Sequence, residues 1–305
     1  GFRELDDADS AELWDAALRT LGAQVVRGDP VLLEAAHIVA DNGGRLGQLG
    51  GLHGALQGDY TSIQRFIHTS GGVEQAIAHL KTLTGAGDEE AADILDRCMG
   101  ADLPRADLAA IIDALPEGKL TPVLEQVLSD DSAENRLNAY LGAMLTKDGQ
   151  LRKQNPYKVG EVKPCPSLVD LFQTKDIPEG SEVTRVLNAV RQIDARNLFD
   201  RSAALLRLAD LLITDFERRK RARAGLDFDD LIETVDALLT RQAAAEWVLW
   251  NLDGGIDHVL LDEAQDTAPS QWSILRALTN DIFAGAGVER EKLRTLFVVG
   301  DQKQS

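Results

Sequence analysis

The sequence predicts a mainly α protein that ends in a small α/β part with few parallel strands. Ala and Leu are abundant, whereas only 5% of the 305 residues are aromatic, and this composition favours helices over sheets. Apolar residues recur at helical spacing through most of 1–150 and again in 182–223. Two short apolar runs, 258–261 and 295–299, then lead into polar residues, which is typical of strands in a parallel sheet.

Residues 1–150 are predicted to form short helices whose apolar faces pack on one another. The predicted spans are about 14–21, 30–40, 63–67, 73–80, 91–99, 106–115, 123–128 and 132–145. Residues 182–223 are predicted to form one or two long helices, and Gly225 is expected to end them. Asp227 is then expected to cap the next helix, because a carboxylate can accept the free N–H groups of its first turn.

Basic residues are concentrated in two places of an acidic chain. The first is the proline-rich loop at about 146–181, where four prolines exclude a long helix; its basic residues include Lys147, Arg152 and Lys153. The second is the end of the long helix, where Arg219 and Lys220 belong to a run of cations. Both groups can be solvated surface, or they can contact phosphates of DNA, and the sequence leaves the choice open.

Composition and charge exclude several classes of protein. With 44% hydrophobic and 27% charged residues the chain is globular, and a net charge of −18 means that DNA could be bound only by local basic patches. Two cysteines without metal-ligand spacing fit a reducing cytoplasm, and no apolar run is long enough for a bilayer. The missing initiator methionine and the abrupt end predict a piece of a larger protein.

The two apolar runs near the end predict a candidate site. With a helix between them from about 270 to 282, they form a strand–helix–strand unit, whose crossover should be right-handed. Ligands bind beyond the carboxyl ends of parallel strands, so Asp262 and Glu263 would lie at a crevice, next to the strand that ends at Gly300. One carboxylate could hold Mg2+ and the other could orient or deprotonate a water.

At these residues the sequence resembles a known family. Asp262–Thr267 (DEAQDT) resembles motif II, or Walker B, of the UvrD/Rep-type superfamily 1 DNA helicases, and Val299–Ser305 (VGDQKQS) resembles their motif III. Leu226–Leu231 (LDFDDL) is similar to the segment by which those chains re-enter their first motor domain. Within the family, residues 146–153 and the start at 1–6 are most similar to AddA-type helicase–nuclease subunits of bacterial double-strand-break repair.

The resemblance implies a division into two domains and a set of ligands. Residues 1–225 would be a helical insertion domain like domain 1B of the family, including the proline-rich loop. Residues 226–305 would be the C-terminal half of the RecA-like P-loop NTPase domain, called 1A, that carries motifs II and III. The implied ligands are ATP, Mg2+ and DNA, as a duplex end and a single strand, and the implied partner is an AddB-like subunit.

The resemblance also implies roles for individual residues. Asp262 would hold Mg2+ on the phosphates of ATP, Glu263 would act as general base on the attacking water, and Gln304 would sense the γ-phosphate and couple it to the DNA site. Gln265 and Asp266 would support the geometry of motif II. The nucleotide-binding residues implied in this way are Asp262, Glu263, Gln265, Asp266, Asp301 and Gln304.

The phosphate-binding loop of such enzymes is missing from this sequence. The one Gly-Lys pair, Gly118-Lys119, lacks both the upstream glycine and the following Ser or Thr. In the family this loop precedes the insertion, and the second motor domain and the nuclease domain follow motif III. The chain by itself is therefore expected neither to hydrolyse ATP nor to unwind DNA.

Two other functions remain open at this stage. The chain could be a helical module that binds DNA or a partner, with a motor-like tail as scaffold; salt-dependent DNA binding by 1–225 alone would support this. It could also be another metal-dependent phosphohydrolase that uses Asp262, Glu263 and Asp301, which would bind a divalent metal without the missing loop. The Gln-Asp-Thr continuation after the acidic pair is not required by that chemistry.

Overall fold

The computed structural model describes residues 2–41, 60–114, 120–150, 181–240, 247–248, 258–283 and 295–301. In this part of the chain helices dominate, as predicted. The helices are α1 (Asp7–Val26), α2 (Pro30–Asp41), α3 (Tyr60–Ser70), α4 (Val73–Thr84), α5 (Ala91–Met99), α6 (Arg105–Ala114), α7 (Thr121–Ser129), α8 (Ala133–Met144), α9 (Glu182–Ala222), α10 (Phe228–Thr240) and α11 (Pro269–Phe283). The strands are β1 (Arg3–Glu4), β2 (Gly225–Leu226), β3 (His258–Leu261) and β4 (Thr295–Val298).

The helices predicted from apolar spacing are confirmed with similar boundaries. The span predicted at 132–145 is α8, whose N-cap Ser132 accepts a hydrogen bond from the Asn135 N–H at 3.3 Å. Residues 182–222 form the single helix α9, where one or two were expected. Most of the proline-rich loop, residues 151–180, lies outside the described residues. None of the described helices combines the length and apolar character that crossing a bilayer requires.

Residues 24–210 form one compact unit whose core lies between α5–α8 and the first turns of α9. A polar network closes this core. Arg185 donates to both Glu182 oxygens, at 2.6 and 2.7 Å, and to the Cys98 carbonyl at 2.9 Å, while the Tyr140 hydroxyl donates to Glu182 at 3.0 Å. Burial raises the pKa of the Cys98 thiol and of the Tyr140 hydroxyl, so both stay neutral. The network fixes the start of α9 on α5 and α8.

A second compact unit consists of residues 1–23 and 211–305. Within it, β1 pairs parallel with β2, with Arg3 opposite Gly225 and Glu4 opposite Leu226. The Trp14 ring of α1 stacks on the Phe216 ring of α9 with centroids 3.9 Å apart. The first residues of the chain therefore share a core with the segment that follows them by about two hundred residues.

These contacts divide the chain differently from the predicted boundary at residue 225. Residues 1–23 and 211–225, assigned from the sequence to the helical insertion, pack with the C-terminal part, and 24–210 form the separate unit. The difference arises because a strand of two residues such as β1 has no periodicity from which its pairing could be predicted.

The turn between α9 and β2 also differs from the prediction. The left-handed residue that ends α9 is Ala224, with φ of 48°, and not Gly225. Gly225 lies in β2 and is buried, and a Cβ added there would lie 2.6–2.8 Å from three atoms of the Leu5 side chain. Glycine is therefore required at 225 for close packing of the two strands.

We expect Gly225→Ala to destabilise the chain by about 1–3 kcal/mol, because the added Cβ would displace the Leu5 side chain, which is itself buried. Gly22→Ala is the matched control: nothing lies within 4 Å of a Cβ at this α1 position, so it should stabilise by up to about 1 kcal/mol through helix propensity. Urea unfolding measures both. The double variant Leu5→Ala, Gly225→Ala should recover part of the loss; strictly additive effects would contradict the packing explanation.

The predicted strand–helix–strand unit is present at the end of the chain. β3 and β4 pair in parallel with Leu261 opposite Val298, and α11 lies between them in sequence. Apolar runs of this kind are usually buried in a parallel sheet, but here Leu260 is 75% exposed and Phe297 60% exposed. Two strands cannot cover their own faces, so the apolar residues of this sheet remain accessible.

Candidate active site

The site is built where β3 and β4 end side by side. The Val299 N–H donates to the Leu261 carbonyl at 2.9 Å, which continues the parallel ladder beyond β4. In a regular parallel ladder the Val299 carbonyl would accept from the Glu263 N–H. Here it accepts from the N–H of the next residue, Ala264, at 2.9 Å. Asp262 and Glu263 are therefore displaced from the ladder as a bulge, a feature that re-aims side chains at the end of a strand.

The bulge has a distorted backbone and satisfies its own hydrogen bonds. Glu263 adopts a left-handed conformation, with φ of 51° and ψ of 47°, which costs roughly 1–3 kcal/mol for a residue with a Cβ. Its N–H, displaced from the ladder, donates to the Asp262 carboxylate at 3.0 Å. Both carboxylates lie on the exposed side of the bulge. Such strain is typical of functional sites.

Gln265 connects this bulge to the residues that follow β4. It lies in a short 3-10 helix (Ala264–Asp266), and its Oε1 accepts from the Asp301 N–H at 2.9 Å. Its Nε2 donates to the Glu263 carboxylate and lies 3.5 Å from Asp266 Oδ2. A Cβ at Gly300 would lie 3.0 Å from Gln265 Oε1, so Gly300 allows the close approach.

The residues of the bulge suit a Mg2+ ion that is bound together with phosphate better than a metal ion enclosed by protein ligands alone. Among the described residues no group of three or more His, Cys, Asp or Glu could hold a metal ion. Mg2+ is commonly held by one or two carboxylates, with waters and substrate phosphates as the other ligands. Asp262 offers a carboxylate of that kind at an open edge, so the donor set fits Mg2+ bound together with a nucleotide.

The structure brings together four of the six predicted nucleotide-site residues and describes a fifth nearby. Asp262, Glu263 and Gln265 lie on the bulge and the 3-10 helix, and the Asp301 backbone joins them through Gln265. Asp266 lies one residue further along the 3-10 helix. Gln304 lies outside the described residues, as do Arg152 and Lys153 of the basic loop. Lys147 is described, and it is exposed.

The predicted DNA contact by Lys220 is wrong, because this side chain is only 2% exposed. Its ammonium lies 2.7 Å from Asp227, 2.7 Å from Asp230 and 3.0 Å from Glu217. The two aspartates also accept each other's backbone N–H at 2.9 Å, which confirms Asp227 as the helix cap. We call Lys220 and its three carboxylates the Lys220 cluster.

The sequence contained a sign of this burial that the prediction did not use. The apolar stripe of α9 runs through Leu208, Leu212 and Phe216 at helical spacing, and Lys220 is the next position on the same face. Arg219 differs from it: the side chain is 30% exposed, and it pairs with Asp215 at 2.7 Å and donates to Thr20 at 2.9 Å.

Comparison with known families identifies the family of this chain. The family model described as the UvrD/REP helicase N-terminal domain matches residues 126–305, which is more than half of the chain. This chain belongs to the UvrD/REP helicase family. The two segments assigned to motifs II and III lie within the match, and the parallel pairing of β3 with β4 joins them.

Curated relatives match parts of this chain. An ATP-dependent helicase/nuclease subunit from Listeria monocytogenes serotype 4b (strain F2365) is 37% identical over 101 residues, covering 33% of this chain and 8% of that protein. The RecBCD enzyme subunit RecB of Mycolicibacterium smegmatis (strain ATCC 700084 / mc(2)155) is 32% identical over 136 residues, covering 42% of this chain and 11% of that protein. The matches thus span about a tenth of the length of these relatives.

Proposed function

We propose that this chain is the part of a longer ATP-dependent DNA helicase that carries motifs II and III, of the AddA-like type that acts in recombinational repair of double-strand breaks. The observation that carries the proposal is the bulge at Asp262 and Glu263, joined by hydrogen bonds to the residues after β4. The names of the two relatives, which describe helicase/nuclease and RecB subunits, support the type.

The proposed chemistry is transfer of the γ-phosphoryl group of ATP to water. Mg2+, held by Asp262, would neutralise charge on the β- and γ-phosphates. Glu263 accepts the proton of the attacking water, and the left-handed backbone turns its carboxylate out of the strand direction. Gln304 senses the γ-phosphate, and Gln265 and Asp266 support the geometry of motif II. The bond from the Asp301 N–H to Gln265 joins motif III to it.

The proposed DNA contacts are electrostatic and local. Lys147, Arg152 and Lys153 of the basic loop, together with Arg219, would contact phosphates of a duplex end or a single strand. Arg219 is retained because its side chain is 30% exposed, whereas Lys220 is removed from the set. The helical unit 24–210 would correspond to the 1B-like insertion, and an AddB-like subunit would be the partner.

Measurement of ATP hydrolysis tests the proposal in two forms of the protein. This chain alone is expected to show no turnover above the buffer background, with or without DNA, because it has no phosphate-binding loop. A longer form that includes the preceding loop and the second motor domain should hydrolyse ATP and be stimulated by DNA. Turnover by the chain alone, or none by the longer form with DNA, would contradict the proposal.

A further inference from the structure

We propose that Gln265 is a positioning residue: its side-chain amide holds the Glu263 carboxylate at a fixed place relative to the backbone of Asp301. The inference deepens the function proposed above and rests on it. It adds a mechanical link between the two motifs, because one amide group contacts both of them.

The two ends of the amide are chemically different, and this determines its orientation. The Asp301 N–H is a donor and lies 2.9 Å from Oε1, which can only accept. Turning the amide over would place its NH2 group against that N–H, so that two donors would face each other. The bond to Asp301 therefore directs the NH2 group towards Glu263, where it donates to a carboxylate oxygen.

Glu263 needs such a partner because its own side chain is long and exposed. Among the hydrogen bonds of the described residues, Gln265 supplies the one side-chain donor to the Glu263 carboxylate. A general base is effective only when it is held within hydrogen-bonding reach of the proton that it takes. Supporting residues of this kind typically contribute 10- to 100-fold to activity.

The same geometry couples Glu263 to the residues after β4. Gly300 permits close packing of this segment on Ala264 and Gln265, since a Cβ there would lie 3.2 Å from the Ala264 Cβ. A displacement of residues 299–301 would move the Asp301 N–H, and with it the amide and the Glu263 carboxylate. Motif III, which holds Gln304, is thereby linked to the base through one side chain.

Two substitutions separate the two bonds. Gln265→Glu keeps an acceptor for the Asp301 N–H but removes the donor to Glu263 and places a second carboxylate beside it. Gln265→Met has a similar length and removes both bonds. Gln271→Glu is the matched control: this residue accepts from the Ala268 N–H through Oε1, a bond that glutamate also makes, and no hydrogen bond joins it to Glu263 among the described residues.

In the longer protein, both Gln265 variants should lower the kcat of DNA-stimulated ATP hydrolysis about 10- to 100-fold. The KM for ATP should change less than about threefold, because only the chemical step is affected. The Asp301 amide, followed by hydrogen–deuterium exchange in this chain, should exchange about fivefold faster in Gln265→Met, which loses one hydrogen bond. Its exchange should be unchanged in Gln265→Glu and Gln271→Glu.

Several results would overturn the inference. The first is a kcat of both Gln265 variants within about threefold of the Gln271→Glu control. The second is a loss of ATP binding that parallels the loss of kcat. The third is an exchange rate of the Asp301 amide that is equal in Gln265→Met and the control. Failure of the proposed function is a different result: an inactive wild-type longer protein, or a Glu263→Gln variant as active as wild type.

Discussion

Glu263→Gln in the longer protein is expected to lower the kcat of DNA-stimulated ATP hydrolysis about 10²- to 10⁴-fold, the range typical for loss of a general base. Glutamine has the same shape and can still accept a bond from Gln265, but it cannot take a proton from water. Because the substitution removes an interaction needed only in the transition state, the KM for ATP should change little. Steady-state hydrolysis with saturating DNA is the measurement.

The control for this prediction is Glu125→Gln, which makes the same change at an exposed position of α7. This variant should retain wild-type kcat and KM. Turnover of Glu263→Gln within about tenfold of the control would mean that another group takes the proton. The left-handed backbone at Glu263 would then have to be explained without catalysis.

Lys220→Met is expected to destabilise this chain by about 3–5 kcal/mol, the usual cost of removing one partner from a buried ion cluster. The methionine keeps much of the volume but leaves three carboxylates, of Glu217, Asp227 and Asp230, without their cation. It also loses the contact of the ammonium with the Phe216 ring, 5.1 Å from its centroid. Urea unfolding at neutral pH is the measurement.

Arg221→Met, on the exposed side of the same turn of α9, is the control, and its stability should stay within about 0.5 kcal/mol of wild type. If Lys220→Met lowered the free energy of unfolding no more than this control does, the cluster would not stabilise the junction of α9, β2 and α10. The proposed phosphate contacts would be unaffected by either result, since Lys220 is not one of them.

The cost of Lys220→Met should shrink as the pH falls. Burial alone would raise the pKa of Asp227, but the hydrogen bond and charge of Lys220, together with the hydrogen bond from the Asp230 N–H, lower it below its usual value. The stability that this pair contributes is therefore present above the unfolded-state pKa of about 3.9 and is lost as the pH falls through the lower folded-state pKa. Burial raises the pKa of Glu217 despite Lys220, so Glu217 is protonated before Asp227 on acidification.

Local patterns in the sequence were sufficient to predict most of the described helices and the strand–helix–strand unit that carries the candidate site. The spacing of apolar residues predicted α5 and α8 almost to the residue, because a helix of this kind depends on residues three and four positions apart. The change from an apolar run to Asp262 and Glu263 predicted a strand end, and a second such run predicted its parallel neighbour. These are relations within short segments of the chain.

Contacts between distant residues could not be predicted in this way. Gly225 was assigned to a helix end from its type, and its packing against Leu5 was invisible in the sequence. Lys220 was placed among surface cations from its neighbours, yet three carboxylates compensate its burial. Both errors have one cause, since charge and backbone freedom are properties of one residue whereas burial depends on what the rest of the chain places beside it.

The order of residues along the chain was enough to predict that it is mainly helical, that it ends in a strand–helix–strand unit, and which acidic residues stand at the end of the first strand. The packing of residues 1–23 with 211–305, and the link from Glu263 through Gln265 to Asp301, emerged only from the folded chain. Such a link depends on a bulge in the ladder, and hydrogen-bond geometry of that kind is set by the pairing of two strands and not by either strand alone.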